Sequence, residues 1–253
     1  MQSVRGLVLA AGQGKRMNSP LPKVLHTAGG KPMLEHVLSA LAGAGVTIPV
    51  VVVGHGADEV RTWIRDRAST ALQSPQLGTG HAVMVAADQF SEFPGDLLIT
   101  CGDTPLVSDK LFSRLISFHR GGGFSATILS AILDDPAAYG RIVRDALGAV
   151  EGIVEFRDAS PEQRNIREIN SGIYCFSWPE LRAALGGLKN HNSQSEYYLT
   201  DAIALLRAAG KSVGALAAED SREVLGVNTP EELAVADAIL RERTAAASSN
   251  RST

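Results

Sequence analysis

The sequence predicts an α/β protein with a mostly parallel central sheet flanked by helices and a smaller β-rich lobe in its second half. Three observations predict it. Apolar runs rich in β-branched residues, such as residues 48–53, alternate with helical apolar faces through the first 120 residues, the βαβα rhythm of a sheet covered on both sides. After Phe124 the pattern turns to closely spaced β-rich segments broken by Asp134-Asp135-Pro136 and Tyr139-Gly140-Arg141, which predicts antiparallel hairpins. Three strand-like runs end in glycine-bearing polar loops, at 10–16, 73–80 and 101–105, and parallel neighbours would bring all three to one sheet edge, where open α/β sheets bind ligands.

Each element has a local reason. Residues 4–9 read as a buried first strand. Lys31-Pro32 is expected to open a helix with an apolar face of Met33, Leu34, Val37, Leu38 and Leu41. Residues 48–53 form a second strand, closed by Gly54-His55-Gly56, and Val60, Trp63 and Ile64 mark the helix after it. A short strand at 70–73 leads to Thr79, a suitable N-cap for a helix over 81–87, and residues 97–100 make a strand that stops at Cys101-Gly102-Asp103. In the second half, residues 124–133, 142–156 and 172–177 read as strands and 180–185 as a short helix. The polar stretch 190–195 precedes an amphipathic helix carrying Tyr198, Leu199, Ile203, Leu205 and Leu206, and 213–216 reads as an edge strand. Thr229, Pro230, Glu231 and Glu232 have the order of a helix start, and that helix is expected to run to about 241. Residues 242–253, poor in apolar bulk, are expected to be disordered.

Composition narrows the function classes. At 253 residues the chain suits one α/β unit with a subsidiary lobe. A net charge of −3 argues against broad nucleic-acid or anionic-membrane binding and leaves room for a local basic pocket. No apolar run approaches the roughly 18 residues of a membrane span, and Arg5 and Gly6 break the N-terminal apolar stretch, so neither membrane nor secretory targeting is expected and the location by default is cytoplasmic. Cys101 and Cys175 are not in CxxC spacing and predict neither a disulfide scaffold nor a metal cluster.

The stretch Leu9-Ala10-Ala11-Gly12-Gln13-Gly14-Lys15-Arg16-Met17, followed by Pro22-Lys23, is built to wrap backbone amides around phosphates. Gly12 and Gly14 permit a turn of positive φ and close approach of a ligand oxygen, and Arg16 and Lys23 supply full charges. Lys15 reads as a solvated cation outside the site. A dinucleotide fingerprint fails because Met17 stands where a third glycine is needed and Pro20 and Pro22 block a helix. A P-loop fails because position 25 is Leu and Pro32 replaces the hydroxyl residue.

These residues resemble the signature of the sugar-nucleotide pyrophosphorylases, nucleotidyltransferases of GT-A-like α/β fold. The resemblance narrows with Gln73-x-x-Gln76-Leu77-Gly78-Thr79-Gly80-His81, Gly102-Asp103-x-Pro105, Tyr139-Gly140-Arg141, Ile153-Val154-Glu155, Glu168-Ile169-Asn170-x-Gly172, Glu196-Tyr197-Tyr198-Leu199-Thr200-Asp201 and Gly226-Val227-Asn228. Together they are similar to the uridyltransferase domains of the bacterial bifunctional enzymes that make UDP-N-acetylglucosamine, over residues 5–240. Lys15 replaces the threonine usual in that family. The β-helix of those enzymes has hexapeptide repeats that this sequence lacks, so acetyl transfer and the trimer are not carried over and the oligomeric state stays open.

The resemblance implies a nucleotidyltransferase domain over 1–241, with a nucleotide-binding part at about 1–120, a sugar-binding part at about 121–227 and a C-terminal helix. It implies UTP and a sugar 1-phosphate as substrates and Mg2+ as cofactor, held by Asp103 and Asn228. Arg16 and Lys23 would act on the triphosphate. Leu9, Ala10, Ala11, Gly12, Lys23, Gln73, Gln76, Gly78 and Thr79 would bind the nucleotide, and Gly102, Gly140, Glu155 and Asn170 the sugar. Tyr139 and Tyr197 read as packing residues, and His55 and His81 as structural or surface ones. N-acetylglucosamine 1-phosphate is the expected acceptor; another sugar phosphate, of glucose or N-acetylmuramic acid, and a non-catalytic nucleotide sensor or assembly subunit remain open.

Overall fold

The computed structural model describes residues 3–249. Strand β1 (Val4–Ala10) is followed by a small hairpin of β2 (Thr27–Ala28) and β3 (Lys31–Pro32), then α1 (Met33–Gly43), β4 (Val50–Val53), α2 (Ala57–Ile64), β5 (Ser69–Leu72), α3 (Thr79–Ala86), β6 (Asp96–Cys101) and α4 (Asp109–Gly121). The second half adds β7 (Ala126–Ile132), β8 (Arg141–Arg144), β9 (Val150–Val154), α5 (Pro161–Arg164), β10 (Glu168–Ser177), α6 (Trp178–Leu185), α7 (Asp201–Ala208), β11 (Val213–Ala217) and α8 (Pro230–Ser249).

The main sheet has nine strands in the order β11-β7-β10-β6-β1-β4-β5, with β8 branching from β10 and β9 pairing β8. The pairs β1–β4, β1–β6, β4–β5 and β11–β7 are parallel, and β10 runs antiparallel to both β6 and β7. The expected α/β class with a mainly parallel sheet is thus observed, and the β-rich lobe is the β8–β9 branch. β7 pairs with β10 and β11 rather than making a hairpin with β8, so one continuous sheet crosses the expected boundary near residue 120.

Side-chain alternation divides the core between the two faces. Leu7, Val50 and Val52 look to one face and pack with Val83 and Ala86 of α3, Trp178 and Leu181 of α6 and Ile203 and Leu206 of α7. Val8, Val51 and Val53 look to the other, against Leu34 and Val37 of α1, Val60 and Ile64 of α2 and Phe112 and Leu115 of α4. A third cluster sets Ala236 and Leu240 of α8 on Ala28, Met33, Leu106 and Val227.

Several local expectations shift. Lys31 and Pro32 pair with Ala28 and Thr27 instead of opening α1, because Gly29 and Gly30 both take positive φ and close a two-residue hairpin. Strand β4 starts at Val50, since Ile48 has φ 49° and is exposed. The cap of α3 is Gly78, and Thr79 is the first helical residue. Helix α7 begins at Asp201, after Tyr198 and Leu199. Helix α8 continues through residues 242–249, part of the stretch expected to be disordered: Arg243 Nη1 donates to Leu106 O at 2.7 Å, and alanines favour helix. Residues 250–253 lie outside the described residues.

Candidate functional site

The three glycine-bearing loops follow β1, β5 and β6 and meet at one edge, because those strands are parallel with only β4 between β1 and β5. They border a cleft of about 440 Å3. Leu9, Ala10, Ala11, Gly12, Lys23, Gln73, Gln76, Gly78, Thr79 and Asp103 all line it, as do Cys101 and Glu196.

The loop after β1 is held from several sides. Ala11 O accepts from His55 N–H at 3.2 Å and from Gln76 Nε2 at 3.0 Å, and Gln13 Nε2 donates to Gln76 Oε1 at 3.2 Å. Gln76 therefore uses its amide to brace the first loop. Gly14 has φ 60°, and a Cβ there would stand 2.8 Å from Lys23 Cβ, so glycine at 14 lets the lysine stem lie against the loop.

Lys23 is the centre of the arrangement. Its ammonium pairs with the Asp103 carboxylate and donates to Asn228 Oδ1 at 2.9 Å, so two residues 125 positions apart share one cation. The distant segment is carried there by backbone contacts: Val227 N–H donates to Asp103 O at 2.8 Å and Gly226 N–H to the Tyr139 hydroxyl at 3.1 Å. Asn228 Nδ2 donates to Gly226 O at 3.2 Å, which turns Oδ1 toward Lys23.

Arg16 lies outside the main cleft, exposed, on an adjoining cavity of about 180 Å3 with Gly14, Lys15, Lys23 and Asn228. Lys15, expected to be a bystander, lines both cavities.

Also lining the cleft, Gly78 has φ 103°, and a Cβ there would come within 2.6 Å of Tyr197 O. Only glycine fits this close crossing. Thr79 Oγ1 accepts from Leu199 N–H at 3.0 Å, and the next residue, Thr200, donates its hydroxyl to Glu155 Oε1 at 3.1 Å. The expected nucleotide wall and the expected sugar residues are thereby joined.

Of the latter group, Gly140, Glu155 and Asn170 are not among the residues that line the cleft. Asn170 N–H donates to Gly140 O at 2.9 Å, and a Cβ on Gly140 would lie 3.3 Å from Glu155 Oε2. A β-bulge in β10 between Asn170 and Ile173, with Gly172 at φ 78°, re-aims the Asn170 side chain, whose Oδ1 accepts from Gly172 N–H at 3.2 Å. Burial pushes the Glu155 carboxyl up, and Asp201, Asp158 and Glu196 add to the shift against the Thr200 hydrogen bond. Cys101 touches both groups, lining the cleft and donating to Gly172 O at 3.8 Å. Burial, reinforced by Asp103, pushes its thiol up to about 12, so it is neutral and no nucleophile. Gly102, expected with the sugar residues, is buried beneath Val24 and Ala10.

The donor set suits a hard divalent ion. Asp103 and Asn228 offer a carboxylate and a carboxamide oxygen already gathered on one cation. Mg2+ usually takes one or two protein oxygens, with water and phosphate completing the shell. Among the described residues no group of three or more His, Cys, Asp or Glu side chains could hold a metal ion.

The model of the MobA-like NTP transferase domain matches residues 6–165. The chain belongs to this family. Among curated relatives, a bifunctional protein GlmU of Heliobacterium modesticaldum is 48% identical over 243 residues and one of Acetivibrio thermocellus 49% identical over 243 residues; each match covers 96% of this chain and 53% of the relative. The chain spans about half the length of the curated relatives it matches, and it is a nucleotidyltransferase of their N-terminal type. In fold it resembles a Bacillus anthracis structure described as a glucose-1-phosphate thymidylyltransferase, with a TM-score of 0.73 and 18% identity over 94% of this chain and 96% of that one. That likeness shows the GT-A-like fold. No helix among the described residues is long and apolar enough to cross a membrane.

Three residues of this NTP transferase domain that matter to the geometry escaped sequence reasoning. Tyr139 reads as packing, yet its hydroxyl anchors the 226–228 segment. Thr200 lies in a motif without an assigned role, and His81 reads as a structural or surface residue, yet Thr200 bonds Glu155 and His81 bonds Gln73. Only tertiary pairing gives these side chains their partners.

Proposed function

We propose that this domain forms UDP-N-acetylglucosamine and pyrophosphate from UTP and N-acetylglucosamine 1-phosphate, a precursor for cell-wall or other glycan synthesis. The observation that carries the reading is the meeting of Lys23 with both Asp103 and Asn228, with Lys23 and Asp103 lining the same cleft as Gln73 and Gly78. The family description, an NTP transferase domain, supports nucleotide chemistry of this type.

A sugar phosphate is already anionic near neutral pH, so no residue has to generate the nucleophile. Its oxygen attacks the α-phosphorus of UTP in line, the bond to the bridging oxygen breaks, and pyrophosphate leaves with the electron pair. The protein's work is to hold two repelling anions together and to offset the charge that develops. Lys23, Arg16 and Lys15 surround the glycine turn with positive charge, and Ala11 and Gly12 line the cleft beside it. Asp103 and Asn228 would hold Mg2+, which supplies Lewis-acid stabilisation of phosphate oxygens when bound. Gln73 and Gly78 read the base edge. Glu155 and Asn170 present acceptors and a donor to sugar hydroxyls and the acetamido group, and Gly140 lets the ring approach.

The test is a coupled pyrophosphate-release assay with a panel of nucleoside triphosphates and sugar 1-phosphates. The expected result is turnover with UTP and N-acetylglucosamine 1-phosphate well above other pairs. Equal rates with glucose, N-acetylglucosamine and N-acetylmuramic acid phosphates would reject the sugar assignment, and no pyrophosphate with any pair would reject the activity.

A further inference from the structure

The cleft holds one hydrogen-bond set whose direction is fixed by the chemistry of its partners. Gln73 is 4% exposed, so water does not average its amide between two orientations. Gln73 Nε2 donates to Gly78 O at 2.8 Å, and because a carbonyl only accepts, the nitrogen must face it. The second amide hydrogen points to His81 Nδ1 at 3.2 Å, which accepts when the imidazole is neutral with its proton on Nε2. Both hydrogens are then used, and Gln73 Oε1 has no partner among the described residues. The Gly78 N–H is likewise without an acceptor there, and both residues line the cleft.

We propose that His81 is a specificity-determining positioning residue: by taking the second amide hydrogen of Gln73, it fixes the oxygen toward the ligand and makes this wall accept a ring N–H. The proposal rests on the reading of the cleft as a nucleotide site. A wall that accepts at one point and donates from Gly78 beside it fits a pyrimidine whose N3–H is flanked by carbonyls, as in uracil or thymine. Cytosine presents an acceptor at N3, and oxygen would face nitrogen lone pair with no hydrogen between them. Turning the amide over to suit cytosine breaks the bond to Gly78 O and, unless the His81 proton also moves from Nε2 to Nδ1, the bond to His81. Without His81 only one bond opposes the turn, so discrimination weakens while uracil still binds. A base wall built to pair with a ring hydrogen rejects the analogue lacking it because its own buried polar atom is left unpaired.

The test compares kcat/KM for UTP and CTP, with N-acetylglucosamine 1-phosphate as acceptor, in the wild type and in His81→Leu, His81→Ala and His81→Asn. Leucine keeps bulk and alanine adds none, but both remove the acceptor; asparagine can place Oδ1 near the position of Nδ1. The UTP/CTP ratio is expected to fall about 10-fold in the leucine and alanine variants and to return toward the wild-type value in asparagine. Thermal melting shows whether each variant is folded, and alanine serves should leucine not be. An unchanged ratio in a folded leucine or alanine variant overturns the role of His81 while leaving the nucleotide site intact. An asparagine variant as indiscriminate as leucine overturns it also. A wild type that turns over neither nucleotide removes the reading beneath it, a different failure from either of these.

Discussion

Lys23 and Asp103 form an ion pair in which the ammonium occupies the space between Asp103 and Asn228, the two oxygen ligands expected for a divalent cation. A divalent ion held by those oxygens would compete with the lysine for them. Removing the ammonium should let free protein bind Mn2+ more tightly while turnover falls by about 10²-fold or more for want of a phosphate cation. Electron paramagnetic resonance titration of Mn2+ with Lys23→Met, without nucleotide, checks the first effect; weaker binding than in wild type would contradict it. Asp103→Asn should lose Mn2+ affinity and most activity while the fold survives, with a lowered melting temperature because the largely buried Lys23 ammonium loses its carboxylate partner.

Gly78 makes the sharpest steric prediction. At φ 103°, with Tyr197 O 2.6 Å from the place of a Cβ, Gly78→Ala must push the 73–80 loop from the 196–199 segment. Backbone on the receiving side cannot yield as a flexible side chain would. A loss of about 2 kcal/mol in stability is expected by urea unfolding, with a raised KM for UTP.

Tyr139 tests whether the 226–228 segment is placed by one hydroxyl. Tyr139→Phe removes the acceptor for Gly226 N–H and leaves the ring packed. Because the Val227 bond to Asp103 O remains, the loss should be moderate, about 1 kcal/mol, and should weaken Mn2+ binding more than it lowers melting temperature. A variant with wild-type Mn2+ affinity would argue that Val227 suffices.

Glu155 links the site to stability. Its carboxyl is raised, by burial first, so the folded state holds that proton more tightly than the unfolded chain does. The sign follows: tolerance of the buried group is fully present below about pH 4.5, the ordinary value, and is lost as pH rises through the higher folded one. Glu155→Gln should remove this part of the pH dependence and raise the melting temperature near pH 7 by a few degrees, about 1 kcal/mol, while KM for the sugar phosphate rises. Scanning calorimetry across pH 4 to 8 measures it, and a less stable variant at pH 7 would refute the argument.

The sheet and its ligand edge were legible because β-branched runs and glycine stops report on backbone directly: residues 97–100 and 213–216 fall within strands, as do all but the first two residues of 48–53. Lys31-Pro32 misled because proline at a first helical position and proline closing a glycine hairpin look alike until the partner strand is known. In the site, residue types carry the chemistry of Asp103, Asn228 and Lys23, so those could be read from the motifs. The mutual contact of Lys23 with the other two could not, and neither could the roles of Tyr139, Thr200 and His81, whose partners lie 87, 45 and 8 residues away. Polar side chains without periodicity announce nothing until the fold supplies a neighbour.

Asp96 offers a prediction remote from the chemistry. It begins β6, whose other end leads to Asp103, and five strand steps of about 3.3 Å place it roughly 16 Å from Cys101. Its carboxylate accepts from Arg120 Nε at 2.8 Å and lies 3.6 Å from His119 Nε2, while His119 Nδ1 is 2.9 Å from Thr127 Oγ1. Burial alone would raise the Asp96 carboxyl, but the His119 and Arg120 hydrogen bonds and charges outweigh it and hold the group below the ordinary range. The stability it contributes is therefore present above about pH 3.8 and is lost as pH falls through the lower folded value. Asp96→Asn keeps the shape but takes the buried carboxylate's charge out of its contacts with Arg120 and His119, so about 2 kcal/mol should be lost at pH 7, and the acid limb of the stability curve should flatten. Because the change sits at the opposite end of the sheet from the cleft, KM for both substrates should stay at wild-type values well below the melting temperature. A selective change in KM without a drop in stability would mean that the two ends of β6 are coupled in a way the packing described above does not provide.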